Sequence, residues 1–132
     1  MVVARHSDTV LDVVRSPSAA ASSAIAASWC RSVLFHGLDP DQHAARERVD
    51  GAFLSALRAE HEVMLTVAAP VLDQMFRSVG RSGCAVILSD ARGIVLERRT
   101  NDADADSFTA AGLVQGARWG EAEEGTNGIG TC

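Results

Sequence analysis

The chain has 132 residues, enough for one domain but not for two with full cores of their own. Its formal charge of −5, with arginine supplying every basic residue, argues against a nucleic-acid surface within this stretch. Hydrophobic residues make up 47%, much of it alanine, and no apolar run approaches the ~20 residues of a membrane-spanning helix.

Val10, Leu11 and Val14 stand at helical spacing after Ser7, which is read as an N-cap. Ser16-Pro17 reads as a second N-cap followed by proline at the first helical position. The helix so begun places Ile25, Trp29 and Val33 on one face and stops at Gly37. Residues 37–48 are polar, with a turn predicted at Asp39-Pro40. Val49 and Leu54 flank Asp50 as a hydrophobic staple flanks its cap. From Phe53 to Val79 the apolar residues recur in three- and four-residue steps, which predicts one long helix over 51–79 with a kink or break at Pro70. Within it, His61-Glu62 is placed to pair with Arg58 or another surface charge.

After Gly80 to Gly83 the period changes. CAVILS (84–89) is apolar on both faces, as a central strand is, and this places Cys84 in the interior. Asp90 to Gly93 predicts a tight turn with a bulge, and 94–99 a returning, partly exposed strand. NDADAD (101–106) predicts the capped start of a short helix reaching toward Leu113. The order is therefore helices, then a hairpin, then loops, and one hairpin does not make an independent sheet.

The segment from Trp119 to Cys132 is the most informative. Gly125, Gly128 and Gly130 surround Thr126, Asn127 and Ile129 after an acidic run, which predicts a shaped loop. A phosphate-binding loop is rejected. Thr131 stands where its lysine would be, the chain contains no lysine, and the glycine order is not that of a dinucleotide fingerprint. Cys30, Cys84 and Cys132 are far apart, and His6, His36, His43 and His61 have no metal-ligand spacing, so neither a metal nor a cofactor is expected. Ser/His/Asp catalysis lacks a local signature, and no catalytic residue is assigned. Without a signal-peptide profile, the expected location is the cytoplasm.

Four segments carry a resemblance. SWxRS with GLDP (Ser28, Trp29, Arg31, Ser32, then Gly37 to Pro40), AAPVLDQ (68–74), LSDxxG (88–93) and WxExxxGTNGIGT (119–131) occur in this order. Together they resemble the N-terminal sensory region of bacterial regulators like the acetoin-catabolism activator. In that family a GAF-type domain precedes a Fis-type helix-turn-helix and often a sigma-54-interacting AAA+ ATPase domain. The resemblance implies an α+β fold in which N-terminal helices are followed by the first part of a GAF-like antiparallel sheet domain. It also implies continuation past Cys132 with a further helix and strands. The expected division is a helical sensory and dimerisation region at 1–80 and the GAF-like hairpin and loop at 81–132. DNA binding and ATP hydrolysis fall on no residue of this chain.

Trp119, Glu121, Thr126 and Asn127 are the candidate ligand-binding residues, being polar and aromatic groups on a loop beside a sheet. The competing reading makes Trp119 core and lets Thr126 and Asn127 hold the loop through side-chain-to-backbone hydrogen bonds. Trp29 and Arg31 are read either as a signalling surface or as a packed Trp beside a solvated Arg. The expected function is sensing: a small-molecule effector biases the 119–131 loop, and a helical homodimer passes that bias on. Two alternatives stand beside it. One is a thiol enzyme resembling free methionine sulfoxide reductase, against which the expected burial of Cys84 counts; the other is a ligand-free dimerisation module.

Overall fold

The computed structural model describes residues 4–42 and 46–131, and the readings made for His43 and Cys132 lie outside these. The fold is α+β: helices with one two-stranded antiparallel sheet. The chain forms two compact units, one from the stretch up to Arg46 together with Trp119 onward, the other from Glu47 to Arg118. The change of period near residue 80 thus falls inside the second unit.

In the first unit, α1 (His6–Val14) begins two residues earlier than the sequence suggests. Arg5 is its cap residue, and Ser7 is not a cap but a buried residue inside the helix, with Val10 buried one turn on. Ser16-Pro17 likewise starts no long helix. A single turn, α2 (Ala19–Ser22), intervenes, and α3 (Ala24–Cys30) starts from Ser23, whose hydroxyl accepts the Ala26 N–H at 3.0 Å. Ser23 caps better because its side chain reaches a free amide of the first turn. The predicted apolar face is only partly buried, with Ile25 exposed and Trp29 half-buried edge-on to His6, 5.6 Å between ring centres. Small buried residues, Ser7, Ala19, Ala26 and Ser28, fill the interior here. The last turn widens into a π-helical segment, Arg31–Phe35, in which the His36 N–H reaches back to the Arg31 carbonyl at 2.9 Å. Gly37, with φ of +69°, ends it as expected.

In the second unit, the Asp50 carboxylate accepts the Phe53 N–H at 2.8 Å and caps α4 (Gly51–Glu60). Val49 and Leu54 form the expected staple, and both close over Gly116. The long helix breaks at His61 and not at Pro70, since α5 runs unbroken from Glu62 to Val79 with Pro70 inside it. Pro70 and Thr66 are both exposed, so water can satisfy the carbonyl that proline leaves without a donor. His61 has left helical geometry (φ −100°, ψ 16°), as a residue closing one helix before another does.

The hairpin pairs β1 (Val86–Ser89) with β2 (Val95–Arg99) in antiparallel register, Val86 opposite Arg99 and Leu88 opposite Glu97, with an irregularity after Leu88. Asp90 builds the turn, its Oδ1 accepting the amides of Arg92 and Ile94. Burial is the reverse of the prediction. Ile94, Val95 and Leu96 are buried, Ile94 and Leu96 joining Leu57 in the core, whereas β1 is half-buried throughout. Cys84 precedes the strand and is exposed, not interior. Asn101 caps α6 (Asp102–Ala110) by accepting the Asp104 N–H, much as the sequence suggests. Arg58 does not pair with Glu62. It donates to the Leu96 carbonyl and to Glu97, which also receives Arg99, and Arg99 ties to Asp73 of α5 at 2.7 Å. Burial works against the Glu97 charge, but the hydrogen bonds from Arg58 and Arg99 outweigh it and hold the carboxyl below its usual range.

Candidate functional site

The segment from Trp119 to Thr131 begins with a single helical turn, α7 (Glu121–Glu124), and continues as a tight, internally bonded loop. Asn127 organises it. Its amide nitrogen donates to the Trp119 and Gly125 carbonyls at 3.0 and 2.9 Å, and its oxygen accepts the Ile129 and Gly130 amides, both at 2.8 Å. All the hydrogen-bonding capacity of the carboxamide is used within the loop. Gly125 has φ of +71° and ψ of −158°, a region essentially closed to residues with a Cβ. At Gly130 a Cβ would lie 2.1 Å from the Trp119 carbonyl oxygen, because the two strands of the loop bridge there, Gly120 to Gly130. The spacing GTNGIG therefore reflects backbone needs at both ends of the turn.

Glu121 faces the N-terminal helices of the same unit. Its carboxylate takes a two-pronged bond from Arg31, Nε to Oε1 at 2.7 Å and Nη2 to Oε2 at 3.0 Å, and a third from the Ser28 hydroxyl at 2.7 Å. Since the one Ser28 proton goes to Glu121, the 2.6 Å contact between Ser28 and Thr126 must be a donation from Thr126. Thr131 adds a bond to Glu121 while its own oxygen accepts the Asn127 N–H. These donors, Arg31 foremost, overcome the opposing effect of burial and pull the Glu121 carboxyl down to about 2. The same pairing raises the Arg31 guanidinium further. Arg46 completes the set, bonding Glu124 at 3.2 Å and lying over the Trp119 ring at 4.2 Å.

The four candidate residues thus share one network, in which Glu121, Thr126 and Asn127 bind protein groups and Trp119 is half-buried under Arg46. Reading the sequence missed the partners: Ser28, Arg31 and Ser32 lie at i, i+3 and i+4, one face of a helix, and present that face to the loop. The signal was SWxRS itself, a motif on the same chain that contacts the other across roughly 90 residues, 93 from Ser28 to Glu121. Ser32 is buried beside Gly125 and its hydroxyl has no hydrogen-bond partner among the described residues. Arg31 is not the solvated residue of the simpler reading, since it is half-exposed but paired. Among the described residues no group of His, Cys, Asp and Glu suits a metal ion, and no helix is long and apolar enough to cross a membrane.

A helical end clamped onto a glycine-rich turn, with a hairpin unit in the same chain, defines an α+β domain whose two motifs close on each other. The chain belongs to the MimR N-terminal domain family, whose model matches residues 4–132. It is 32% identical over 140 aligned residues to the propane 2-monooxygenase operon transcriptional activator MimR of Mycolicibacterium smegmatis, covering 97% of this chain and 22% of that protein. An uncharacterized 47.3 kDa protein in the thcA 5' region of Rhodococcus erythropolis is 30% identical over 83% of this chain and 25% of its own length. The acetoin catabolism regulatory protein of Cupriavidus necator is 28% identical over 80% of this chain and 16% of its own. The chain thus spans a quarter or less of these relatives. No solved structure matches it.

Proposed function

We propose that this chain is the N-terminal sensory region of a bacterial transcriptional regulator, built on a GAF-like plan, which acts by binding and not by catalysis. The observation that carries the reading is the family match over residues 4–132, in a family whose named relatives here are a transcriptional activator and a regulatory protein. The network around Glu121 supports it, because a small-molecule effector that moves the 119–131 loop also moves the helix bearing Ser28 and Arg31. Asn127 spends its carboxamide on the loop, so its part in sensing is to hold the loop's shape and not to touch the effector. DNA contact and any sigma-54-linked ATPase belong to parts of the regulator outside this chain. The setting is the cytoplasm, and the proposed protein partner is a second copy.

A chimera tests this. The chain replaces the matching N-terminal stretch of the M. smegmatis activator, and transcription from that activator's promoter is measured against a panel of small alcohols, ketones and diols. The expected result is that promoter choice stays with the activator while the effector profile changes with the exchanged region. An unchanged profile, or inducibility that survives deletion of the region, removes the sensory reading. Cys84→Ser in the same chimera checks the thiol-enzyme alternative, and an unaltered response is expected.

A further inference from the structure

The ties described between residues 119–131 and the N-terminal helices converge on Ser28 and Arg31, on the helical face that also carries Ser32 beside Gly125, at the point where the helix widens. Three features make this contact one that opens. Its strongest bond lies at the surface: the Arg31 side chain is 52% exposed while that of Glu121 is 13% exposed. Competing water reaches the guanidinium directly, so breaking the pair strands no charge on the arginine side. Its interior is polar, with Ser28 fully buried in a hydroxyl chain and the Ser32 hydroxyl without a partner among the described residues. An apolar contact of the same size would be harder to separate. Finally, the π-helical turn at Arg31–Phe35 holds one residue more than an α-helical turn, and such turns commonly mark functional sites.

We propose that Ser28, Arg31, Ser32, Glu121 and Thr126 form a latch, closed in this structure, whose opening is the output of the sensory region. When the loop leaves, Arg31 loses the carboxylate that fixes its direction and Ser32 loses the cover of Gly125, and the wide turn relaxes to α-helical geometry. That change removes one residue from the turn and rotates the following side chains by about 100°. Leu34 and Phe35, 70% and 84% exposed in the closed state, are the side chains so redirected. The helix end therefore presents a different apolar surface in each state. The four-residue α7 has too few internal bonds to hold the loop in place unaided.

The latch rests on the sensory reading, but its test is separable from it. Hydrogen exchange on the intact chain comes first, comparing wild type with Glu121→Gln, which keeps the shape and removes the charge. Exchange should rise roughly tenfold in 28–36 and 119–131, the scale of one lost charge-assisted hydrogen bond, and stay unchanged in 86–99. The same substitution in the chimera should raise transcription severalfold without effector. If Glu121→Gln also loses protection in the hairpin, Arg31→Lys, which keeps the charge but loses the two-pronged grip, is judged by the same criteria. Unchanged exchange, or raised exchange with wild-type basal and induced transcription, overturns the latch. A wild-type chimera that ignores this chain's effectors fails the sensory reading instead.

Discussion

Glu121 collects its donors from residues far away in sequence, and its charge is therefore a property of the fold. Its carboxyl is held at about 2 against an ordinary 4.5, so the unfolded chain binds its proton at higher pH than the folded chain does. The stability it contributes is fully present above pH 4.5 and is lost as pH falls from there toward 2. Denaturant melts of wild type and Glu121→Gln across that window should converge as pH drops, the difference between them being largest above it; parallel curves throughout would deny the pairing. Gly130 makes a sharper case. Alanine there would set a Cβ 2.1 Å from a backbone carbonyl, which no side-chain rotation relieves. Gly130→Ala should cost roughly 3 kcal/mol in chemical denaturation, the upper range for overpacking, whereas Gly128→Ala, with open space around it, should cost far less. Local chemistry of this scale was legible where it spans three or four residues, as at Asp50, Asp90 and Asn101, because cap and partner are read together. The Ser28–Glu121 bond was not, since nothing in either segment names a partner 93 positions away.

At the scale of elements, periodicity found the helices and the hairpin but misjudged which sides are buried. Phe53 stands at a core-like spacing yet is 40% exposed, near the Arg92 guanidinium, while Leu72 is 6% exposed. Leu72→Ala should accordingly cost on the order of 2–5 kcal/mol and Phe53→Ala much less, a split that thermal melts resolve. Equal losses would mean that α4 turns a different face inward. The hairpin was misjudged for a related reason. An apolar run says that a strand can be buried, but Ile94 to Leu96 win the interior because Leu57 and the 117 region close on them, with Val95 exchanging both backbone bonds with Gly116 and Ala117. Pro70 shows the limit of a local rule. Its lost hydrogen bond is real, but at an exposed position the helix tolerates it. Pro70→Ala should therefore stabilise the chain by up to about 3 kcal/mol, the propensity difference between the two residues in a helix interior. A destabilised variant would show that proline is shaping α5 after all.

For the whole molecule, the decisive feature is the apolar side of α5 that faces away from Leu72. Val63, Val67, Val71 and Met75 follow one another at i+4 steps and are 78%, 68%, 55% and 53% exposed, with Met64 beside them at 40%. No charged side chain interrupts these steps, and a continuous apolar strip of this kind recruits a partner. A second copy brings an identical strip, so a two-fold pairing buries eight such side chains at once. At about 1.5 kcal/mol each this gives roughly 12 kcal/mol, set against an association cost on the order of 4–15 kcal/mol. On that balance the expected second copy binds weakly and dissociates on dilution. Light scattering coupled to size-exclusion chromatography should show the mean mass rising from one chain toward two between low and high micromolar concentration. Val67→Asp with Val71→Asp should hold the chain at one copy while its melting transition stays cooperative, because both positions are exposed and neither belongs to the core cluster around Leu57 and Leu96. A wild-type chain that remains monomeric across the range, or a double variant that still dimerises, would place the association elsewhere and leave α5 as a solvated face.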